Sequence, residues 1–322
     1  MKISLVTPAG KQSRAGNRTT AVRWARILCN LGHRVDISEF DDGTRDGGGA
    51  DMMVAVHAWR SADSIRAFSD RFPDRPLVVL LAGTDIYRFQ HSHPTETLES
   101  MDRADALVCL HELVHRAVPK RFGGKLRVIH QSSAPLTTPR APSKRWFEVC
   151  VAGHLREEKD SLRTAYAARL APVASRLRVV HLGKARDDAW GRDAAAEVAR
   201  NPRFVWRGEV PGWQVRRQFA RSHAMVISSV MEGGANIVSE AIVCGVPVIA
   251  SDIDGNIGLL GPDYDGYYPV EDQKALAEML WRAESDPAFL KQLTAQGGRK
   301  RPLFTEAKEM AAWRALLKDL GV

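Results

Sequence analysis

Residues 228–255 read SSVMEGGANIVSEAIVCGVPVIASDIDG and give the clearest local pattern of the chain. The apolar run AMVISS (224–229) has strand length, a glycine-containing loop follows it, and the next apolar segment, near 236–244, has helical length. The run VPVIAS (246–251) then has the composition of a second strand that is buried on both faces. This strand–loop–helix–strand order predicts a parallel sheet covered by helices.

The same alternation extends along the whole chain. In the first half, the predicted strands are KISLVTP, HRVDIS, DMMVAVH, PLVVLLAG, DALVCL and KLRVIH, with helices near 18–31, 61–72 and 112–122. In the second half, they are WFEVCVAG, LRVVHLG, RFVWRG, AMVISS and VPVIAS, with helices near 158–170, 186–200, 213–221 and 236–244 and through most of 271–320. The pattern predicts two doubly wound α/β domains.

A proline-rich stretch separates the two halves. Residues 132–144, SSAPLTTPRAPSK, contain three prolines and no hydrophobic periodicity, which is typical of an interdomain linker. We therefore expect domains at 1–138 and 145–303. Ligands of such sheets bind beyond the carboxyl ends of the strands, so the expected site is the crevice between the domains.

Composition limits the classes of partner. The 322 residues have a net charge of +8, which is compatible with nucleic acid, an anionic membrane or an anionic small substrate. The cations are spread along the chain, with a local excess at Lys11, Arg14, Arg18, Arg23 and Arg26. Apolar runs are too short for a membrane span, and the N-terminus enters a strand directly, so we expect a cytoplasmic protein. The four scattered cysteines have the pattern of reduced core thiols.

Two short motifs resemble metal sites. His111 and His115 enclose Glu112 in HELVH, the zinc-hydrolase pattern, but no third ligand follows and Pro119 would end a helix there. Asp252 and Asp254 form a D-x-D that follows a strand as a turn. We expect no bound metal, and we interpret HELVH as a strand-to-helix junction that places one histidine near the substrates.

The loop and helix of the opening segment contain groups that suit a phosphorylated sugar. Gly233 and Gly234 allow a ligand to approach the backbone, and amides near Asn236 and Ile237 open a helix that can receive phosphate oxygens. Glu240, like Glu232 before it, supplies a carboxylate that can accept hydrogen bonds from sugar hydroxyls. Two glutamates at this spacing are also common on ordinary surface helices.

With GVPVIAS and the later DG turn, the segment resembles the nucleotide-sugar signature of retaining glycosyltransferases of the GT-B fold, family 4. The resemblance implies two Rossmann-like domains that face each other across a cleft, with a C-terminal helix within 304–322 crossing back to the first domain. It also implies a UDP-sugar donor and no metal or other cofactor.

Site residues follow from the resemblance. VAGHLREEKD (151–160) resembles the segment that grips the donor diphosphate, with Lys159 at the family lysine and His154 where the family has arginine, so either His154 or Arg156 takes that role. The implied catalytic residues are Lys159, Glu232, Asp85 and His57. The implied donor-binding residues are Gly10, Gly16, His154, Arg156, Arg207, Gly233, Gly234, Ala235, Asn236, Ile237 and Glu240.

The first domain narrows the resemblance to one branch. TPAGKQSRAGNRTTAVRWA (7–25), AGTDIYR (82–88) and MEGGANIVSEA (231–241) together are similar to the SenB-type selenosugar synthases of selenoneine biosynthesis. The implied reaction transfers N-acetylglucosamine, or glucose, from a UDP-sugar to selenophosphate. The implied acceptor-binding residues are Lys11, Arg14, Asn17, Arg18 and Thr84.

Other functions remain as alternatives. A family 4 enzyme with a lipid, thiol or sugar acceptor fits the same donor motifs, whereas a zinc hydrolase or a basic nucleic-acid-binding protein explains fewer of them. The expected partners are a UDP-sugar and a small anionic acceptor, with no nucleic acid and no integral membrane association. We expect a monomer or a homodimer.

Overall fold

The computed structural model describes residues 1–42 and 49–322, which form two compact units. The first unit contains residues 1–132 and 305–322, and the second contains residues 133–304. The predicted pair of doubly wound α/β domains is confirmed. Residues 133–138 pack with the second unit.

The first unit is built on a six-stranded parallel sheet. Its strand order is β2-β1-β3-β4-β5-β6. Its strands are β1 (Lys2–Val6), β2 (Arg34–Ser38), β3 (Met52–Val56), β4 (Leu77–Leu80), β5 (Ala106–Cys109) and β6 (Leu126–Val128). Its α-helices are α1 (Gly16–Asn30), α2 (Ala62–Arg71), α3 (Gln90–Ser92), α4 (Pro94–Arg103) and α12 (Glu306–Asp319), numbered in chain order. A π-helical turn lies at Asp85–Phe89, and 3-10 turns lie at Glu112–Arg116 and Lys120–Lys125.

The second unit repeats this architecture. Its parallel sheet has the order β12-β11-β10-β7-β8-β9. Its strands are β7 (Phe147–Ala152), β8 (Leu177–Leu182), β9 (Phe204–Trp206), β10 (Ala224–Ile227), β11 (Val248–Ser251) and β12 (Tyr267–Tyr268). Its α-helices are α5 (Arg163–Arg169), α6 (Asp188–Arg200), α7 (Gly212–Arg221), α8 (Asn236–Val243), α9 (Asp254–Leu260), α10 (Gln273–Ser285) and α11 (Pro287–Lys300). Glu157–Lys159 and Arg301–Phe304 are 3-10 turns.

One predicted helix was wrong, and two helices were not predicted. The helix expected near 112–122 is two 3-10 turns, because Pro119 lacks the amide that a continuous α-helix needs. Helix α4 was missed because it buries Thr97 and Ser100 along with Met101, which hides its apolar face in the sequence. Helix α9 was missed because its sequence DGNIGLL contains two glycines.

The C-terminal helix completes the first unit. Glu309 of α12 is buried and accepts hydrogen bonds from Arg23 Nε (3.0 Å), Trp24 Nε1 (2.9 Å) and the Ser132 amide (2.8 Å). The Trp24 and Trp313 rings meet edge to face, with centroids 4.8 Å apart. A buried carboxylate needs such partners. These contacts therefore fix α12 against α1 and against Ser132, the last residue of the unit's first segment.

The predicted linker is largely fixed to the second unit. Arg140 donates to the carbonyls of Gly245 and Ser222, and the Ala141 and Ser143 amides donate to the last turn of α7. Arg216 on α7 donates to the Ala134 carbonyl at 2.9 Å. Residues 134–143 therefore lie along the second unit, because their backbone polar groups find partners there.

Candidate active site

Each sheet has one point at which its strand order reverses. In the first sheet this point lies between β1 and β3, and in the second between β10 and β7. Loops that leave adjacent carboxyl ends diverge there, which opens a crevice for ligands. The loops at these two points contain Lys11, His57, Lys159 and Glu232, all of them predicted site residues.

Lys159 and Glu232 form an ion pair at the second unit's crevice. Lys159 ends the 3-10 turn after β7, and its Nζ contacts Glu232 Oε1 in the loop after β10. Ser229 Oγ donates to the same carboxylate oxygen at 2.6 Å. The lysine side chain remains 21% exposed, so its charge is fixed in place and still accessible to a ligand.

Backbone contacts hold the two loops together. Ser228 Oγ donates to the carbonyls of Lys159 (3.1 Å) and Asp160 (2.9 Å), and the Val230 amide donates to the Glu158 carbonyl (3.0 Å). Asp160 has φ of +42°, a left-handed conformation that turns the chain into α5. The Lys159–Glu232 pair is therefore positioned by several hydrogen bonds, which the sequence motif alone did not indicate.

A second set of contacts supports the Glu232 loop from β11 and α9. Ser251 Oγ donates to the Ser229 carbonyl at 2.6 Å, and Asn256 Nδ2 donates to the Ser251 carbonyl at 2.9 Å. Gly255 packs so closely that a Cβ there would lie 2.1 Å from the Glu232 carbonyl oxygen. Position 255 thus requires glycine for steric reasons, because α9 begins in close contact with the loop that carries Glu232.

Helix α8 begins at the same crevice. Its first residue is Asn236, as predicted, and its N-cap Ala235 provides no side-chain hydrogen bond. Gly234 precedes it with φ of +107°, a conformation that favours glycine. The first amides of an α-helix have no acceptor within the helix, so this end can receive an anion. Glu240 lies one turn further along and is partly exposed.

His154 does not supply the charge of the missing family arginine. Partial burial, followed by nearby cations, lowers its pKa, although Glu209 3.8 Å away opposes the shift. Its Nδ1 accepts from the Lys184 amide at 3.3 Å, which places the proton on Nε2. His154 is therefore neutral at pH 7. Arg156 Nε lies 3.9 Å from the buried Glu158 carboxylate. Of the two residues His154 and Arg156, only Arg156 therefore supplies a permanent positive charge.

A narrow pocket lies between these loops. Among its lining residues are Gly153, Lys159, Ser228, Ile237 and the buried His181. His181 Nε2 donates to the Gly153 carbonyl at 2.9 Å, and burial lowers the pKa of its imidazole to about 4. His181 belongs to no sequence motif, because it is an isolated histidine inside β8.

Arg207 lies apart from this group. It follows β9, is exposed, and lines a groove with residues of β8 and α7. Of the predicted donor-binding residues in the second unit, Gly233, Gly234 and Ala235 follow Glu232 in the loop after β10, and Asn236 and Ile237 begin α8.

In the first unit, His57, Asp85 and Thr84 form a connected group. His57 directly follows β3 with φ of +83°, and its Nδ1 lies 2.7 Å from Asp85 Oδ1. Its Nε2 lies 3.0 Å from Thr84 Oγ1. The Arg60 amide donates to the same Nδ1 at 3.2 Å, so this nitrogen faces both a donor and an acceptor. The Thr84 hydroxyl can donate to Nε2 or accept from it.

Asp85 is buried and also clamps the backbone. Its carboxylate accepts from the amides of Ala58 (2.8 Å), Trp59 (3.0 Å) and Ala82 (2.9 Å). These bonds tie the loop after β3 to the loop after β4. Asp85 therefore has a structural function that would hold even without catalysis, and it fixes the orientation of His57.

The loop between β1 and α1 presents cations to solvent. The Ser13 amide donates to the Gly10 carbonyl at 2.9 Å, which turns the loop, and Lys11 and Arg14 are exposed. Arg18 and Asn17 lie in the first turn of α1, whose N-cap Ala15 provides no side-chain hydrogen bond. Within residues 1–42 and 49–322, Lys11, Arg14 and Arg18 form no ion pair.

The two histidines of HELVH lie in different environments. His111 is buried at the end of β5, whereas His115 is exposed and its Nδ1 lies 2.8 Å from the Glu112 carbonyl. The 3-10 turn separates side chains four residues apart, so the two imidazoles do not share a face. Asp252 follows β11 and Asp254 begins α9. Across the described residues, no group of three or more potential metal ligands occurs.

Comparison with known proteins finds a family match in the second unit. Residues 147–286, within the second unit, match the family model described as "Glycosyl transferases group 1". A putative teichuronic acid biosynthesis glycosyltransferase, TuaC of Bacillus subtilis, is 34% identical over 79 residues, or 24% of this chain. That match spans 20% of the length of TuaC.

Solved structures match the whole chain. Anabaena HepE, crystallised with UDP and glucose, is 15% identical with a TM-score of 0.78, over 99% of this chain and 100% of that one. Sucrose-phosphate synthase from Thermosynechococcus elongatus is 16% identical with a TM-score of 0.79, over 99% of both chains. The two units are those of the GT-B fold. Of the helices in the described residues, none is long and apolar enough to cross a membrane.

Proposed function

We propose that this protein is a UDP-sugar-dependent glycosyltransferase. The observation that supports it most is the Lys159–Glu232 pair beside the N-terminus of α8, because this group lies inside the segment that matches glycosyltransferases group 1. A fixed cation beside the positive end of a helix dipole suits a diphosphate leaving group. The crystallised relative HepE, which holds UDP and glucose, has the same fold.

In the proposed donor step, Lys159 and the first amides of α8 stabilise the charge that develops on the departing UDP. Arg156 supplies a further cation near the diphosphate, since His154 is neutral. Glu240, one turn into α8, accepts hydrogen bonds from hydroxyls of the sugar. The transfer retains the anomeric configuration, with the acceptor attacking the face that UDP leaves.

For the acceptor we propose selenophosphate. Its selenium attacks the anomeric carbon of N-acetylglucosamine or glucose as UDP leaves, and water then cleaves the Se–P bond to release phosphate and the 1-seleno-sugar. Lys11, Arg14 and Arg18 support a small, highly charged acceptor, because they have no ion-pair partners within the described residues. Asn17 and Thr84 add neutral hydrogen-bonding groups. A selenium nucleophile is reactive without a general base, so cations matter more than proton transfer for this acceptor.

One observation favours a second candidate. His57, fixed by Asp85, presents Nε2 to the Thr84 hydroxyl at 3.0 Å, and such an arrangement can pass a proton from a hydroxyl acceptor. A family 4 glycosyltransferase that acts on a sugar, thiol or lipid hydroxyl would use this relay. The two candidates differ in whether His57 matters for turnover.

The test combines purified protein with UDP-N-acetylglucosamine or UDP-glucose and with selenophosphate, phosphate, thiophosphate or free sugars. Mass spectrometry should detect UDP and a selenium isotope pattern on the sugar. His57→Gln should leave selenophosphate turnover within a few-fold. UDP release only with hydroxyl acceptors, and its loss in His57→Gln, would favour the second candidate. Absence of UDP release with all acceptors would contradict the proposed activity.

A further inference from the structure

A basic groove lies on the second unit, apart from the Lys159–Glu232 pair. It has a volume of about 380 Å³. Its lining includes Arg178, Arg207, Arg217, Arg221, Trp213 and Glu148. Four guanidinium groups therefore border one volume, and Glu148 is the single carboxylate in its lining.

The groove begins at the opposite edge of the sheet from the candidate active site. Glu148 and Arg178 are register partners near the amino ends of β7 and β8, whereas Lys159 follows the carboxyl end of β7. Arg178 and Leu182, both in the lining, are four residues apart along β8. At the usual rise of a strand this is about 13 Å. Most of the basic groove is thus separate from the pocket at Lys159.

Its positive charge is only partly balanced. Glu148 is buried, accepts a hydrogen bond from Gln218 Nε2 at 3.0 Å, and lies 3.6 Å from Arg221 Nη2. In the part of the chain that the structure describes, Arg207 and Arg217 have no carboxylate partner. Like charges gathered in this way repel one another. A bound polyanion would therefore lower the repulsive energy between the arginine side chains.

The volume of the groove and its exposed indole ring limit the class of ligand that fits. A volume of about 380 Å³ lies at the lower end of pockets that hold small organic ligands. Trp213 is 60% exposed at the start of α7, and an indole ring there offers a flat surface for another ring. Guanidinium groups bind phosphate oxygens in pairs.

We propose that this groove binds a nucleoside polyphosphate at a site separate from the donor site. Arg217 and Arg178 hold the phosphates, and Trp213 stacks on the base. The volume fits one nucleotide rather than a polymer. Helix α7 also anchors the segment 134–143 through Arg216, so a ligand on this helix contacts the element that fixes the start of the second unit.

The experiment titrates the full chain with ATP by calorimetry, in the presence of saturating UDP. Arg217→Gln and Arg178→Gln should each raise the ATP Kd at least fivefold, while Arg192→Gln, an exposed arginine on α6, should leave it unchanged. Trp213→Ala should weaken ATP but not inorganic tripolyphosphate. Circular dichroism and thermal unfolding verify that each variant is folded.

Three results would overturn the proposal. They are no ATP binding at millimolar concentration, an ATP Kd that neither arginine substitution changes, and displacement of ATP by UDP, which would place both in one site. A single-stranded oligonucleotide that binds more tightly than ATP, and depends on Arg217, would instead identify a nucleic-acid surface. Because ATP binding is measured directly, failure of the proposed transferase activity leaves this test intact.

Discussion

The two units have the same sheet architecture but hold their charged groups differently. In the second unit, Lys159 is paired with Glu232, and four hydroxyl and amide side chains brace the loops around the pair. In the first unit, the loop cations Lys11 and Arg14 extend into solvent without ion pairs among the described residues. The family match lies in the second unit alone.

This difference suits two tasks: stabilising a leaving group that many enzymes share, and recognising an acceptor that differs between enzymes. A braced, preorganised cation suits a leaving group common to many enzymes, because fixed charges stabilise a transition state without reorganising. Exposed cations on a short loop can differ between relatives without disturbing a core. Under the proposed function, we therefore propose that the second unit handles the donor and that the first selects the acceptor.

Removal of Lys159 should have the largest effect. Lys159→Ala is expected to lower kcat by about 100- to 1,000-fold, or about 3 kcal/mol, by analogy with the loss of one oxyanion-hole donor. Steady-state UDP release measures it. The matched control is Lys291→Ala, an exposed lysine on α11, which should retain normal turnover. Near-normal kcat in Lys159→Ala would remove the donor assignment.

Substitution of Asp85 tests whether hydrogen bonds also fix loops in the first unit, as they do in the second. Asp85→Asn replaces an acceptor of three backbone amides with a group that can accept at one oxygen only, so buried amides lose partners. We expect a loss of about 2–3 kcal/mol of unfolding free energy, measured in urea. Asp63→Asn, on the exposed face of α2, should change stability by less than about 0.5 kcal/mol. An equally small effect at Asp85 would mean that the clamp is dispensable.

Acid should destabilise the second unit through His181. Its folded-state pKa is about 4, below the ordinary 6.5, so the unfolded chain binds more protons between these values. Stability is therefore lost as pH falls below about 6.5, by up to about 3 kcal/mol near pH 4. Burial also lowers the pKa values of His154 and His223, which adds in the same direction.

Denaturation at pH 7.5, 6 and 5 measures this slope. His181→Gln should flatten it, and His91→Gln, at an exposed position, should leave it as in the wild type. An unchanged slope in His181→Gln would assign the acid sensitivity to other groups.

The loop cations should have the smallest effect. Lys11→Gln and Arg14→Gln are each expected to raise the acceptor KM several-fold and to leave the donor KM unchanged. The difference should shrink in high salt, because exposed charges are screened. Arg314→Gln on α12 is the matched control. A parallel rise in the donor KM would contradict the division of tasks between the units.

Sequence patterns predicted the strands well because buried parallel strands are nearly continuous apolar runs. The glycine-containing loop also predicted the start of α8 at Asn236, whereas Lys159 was selected through the resemblance to a known family. Sequence patterns did not identify Ser228 or Asn256, because single hydroxyl and amide residues acquire a role only through contacts distant in sequence. The neutral state of His154 likewise depends on burial, which a motif does not encode.

The closure of the first unit by α12 has a consequence for synthesis. Helix α12 follows the entire second unit in the chain, so a ribosome exposes residues 133–304 before Glu309 can reach Trp24 and Ser132. Until then the Trp24 indole lacks both its carboxylate acceptor and the Trp313 ring. All six strands of the first unit are made before the second unit begins, yet its contacts to Glu309 and Trp313 can form only after the second unit has been made.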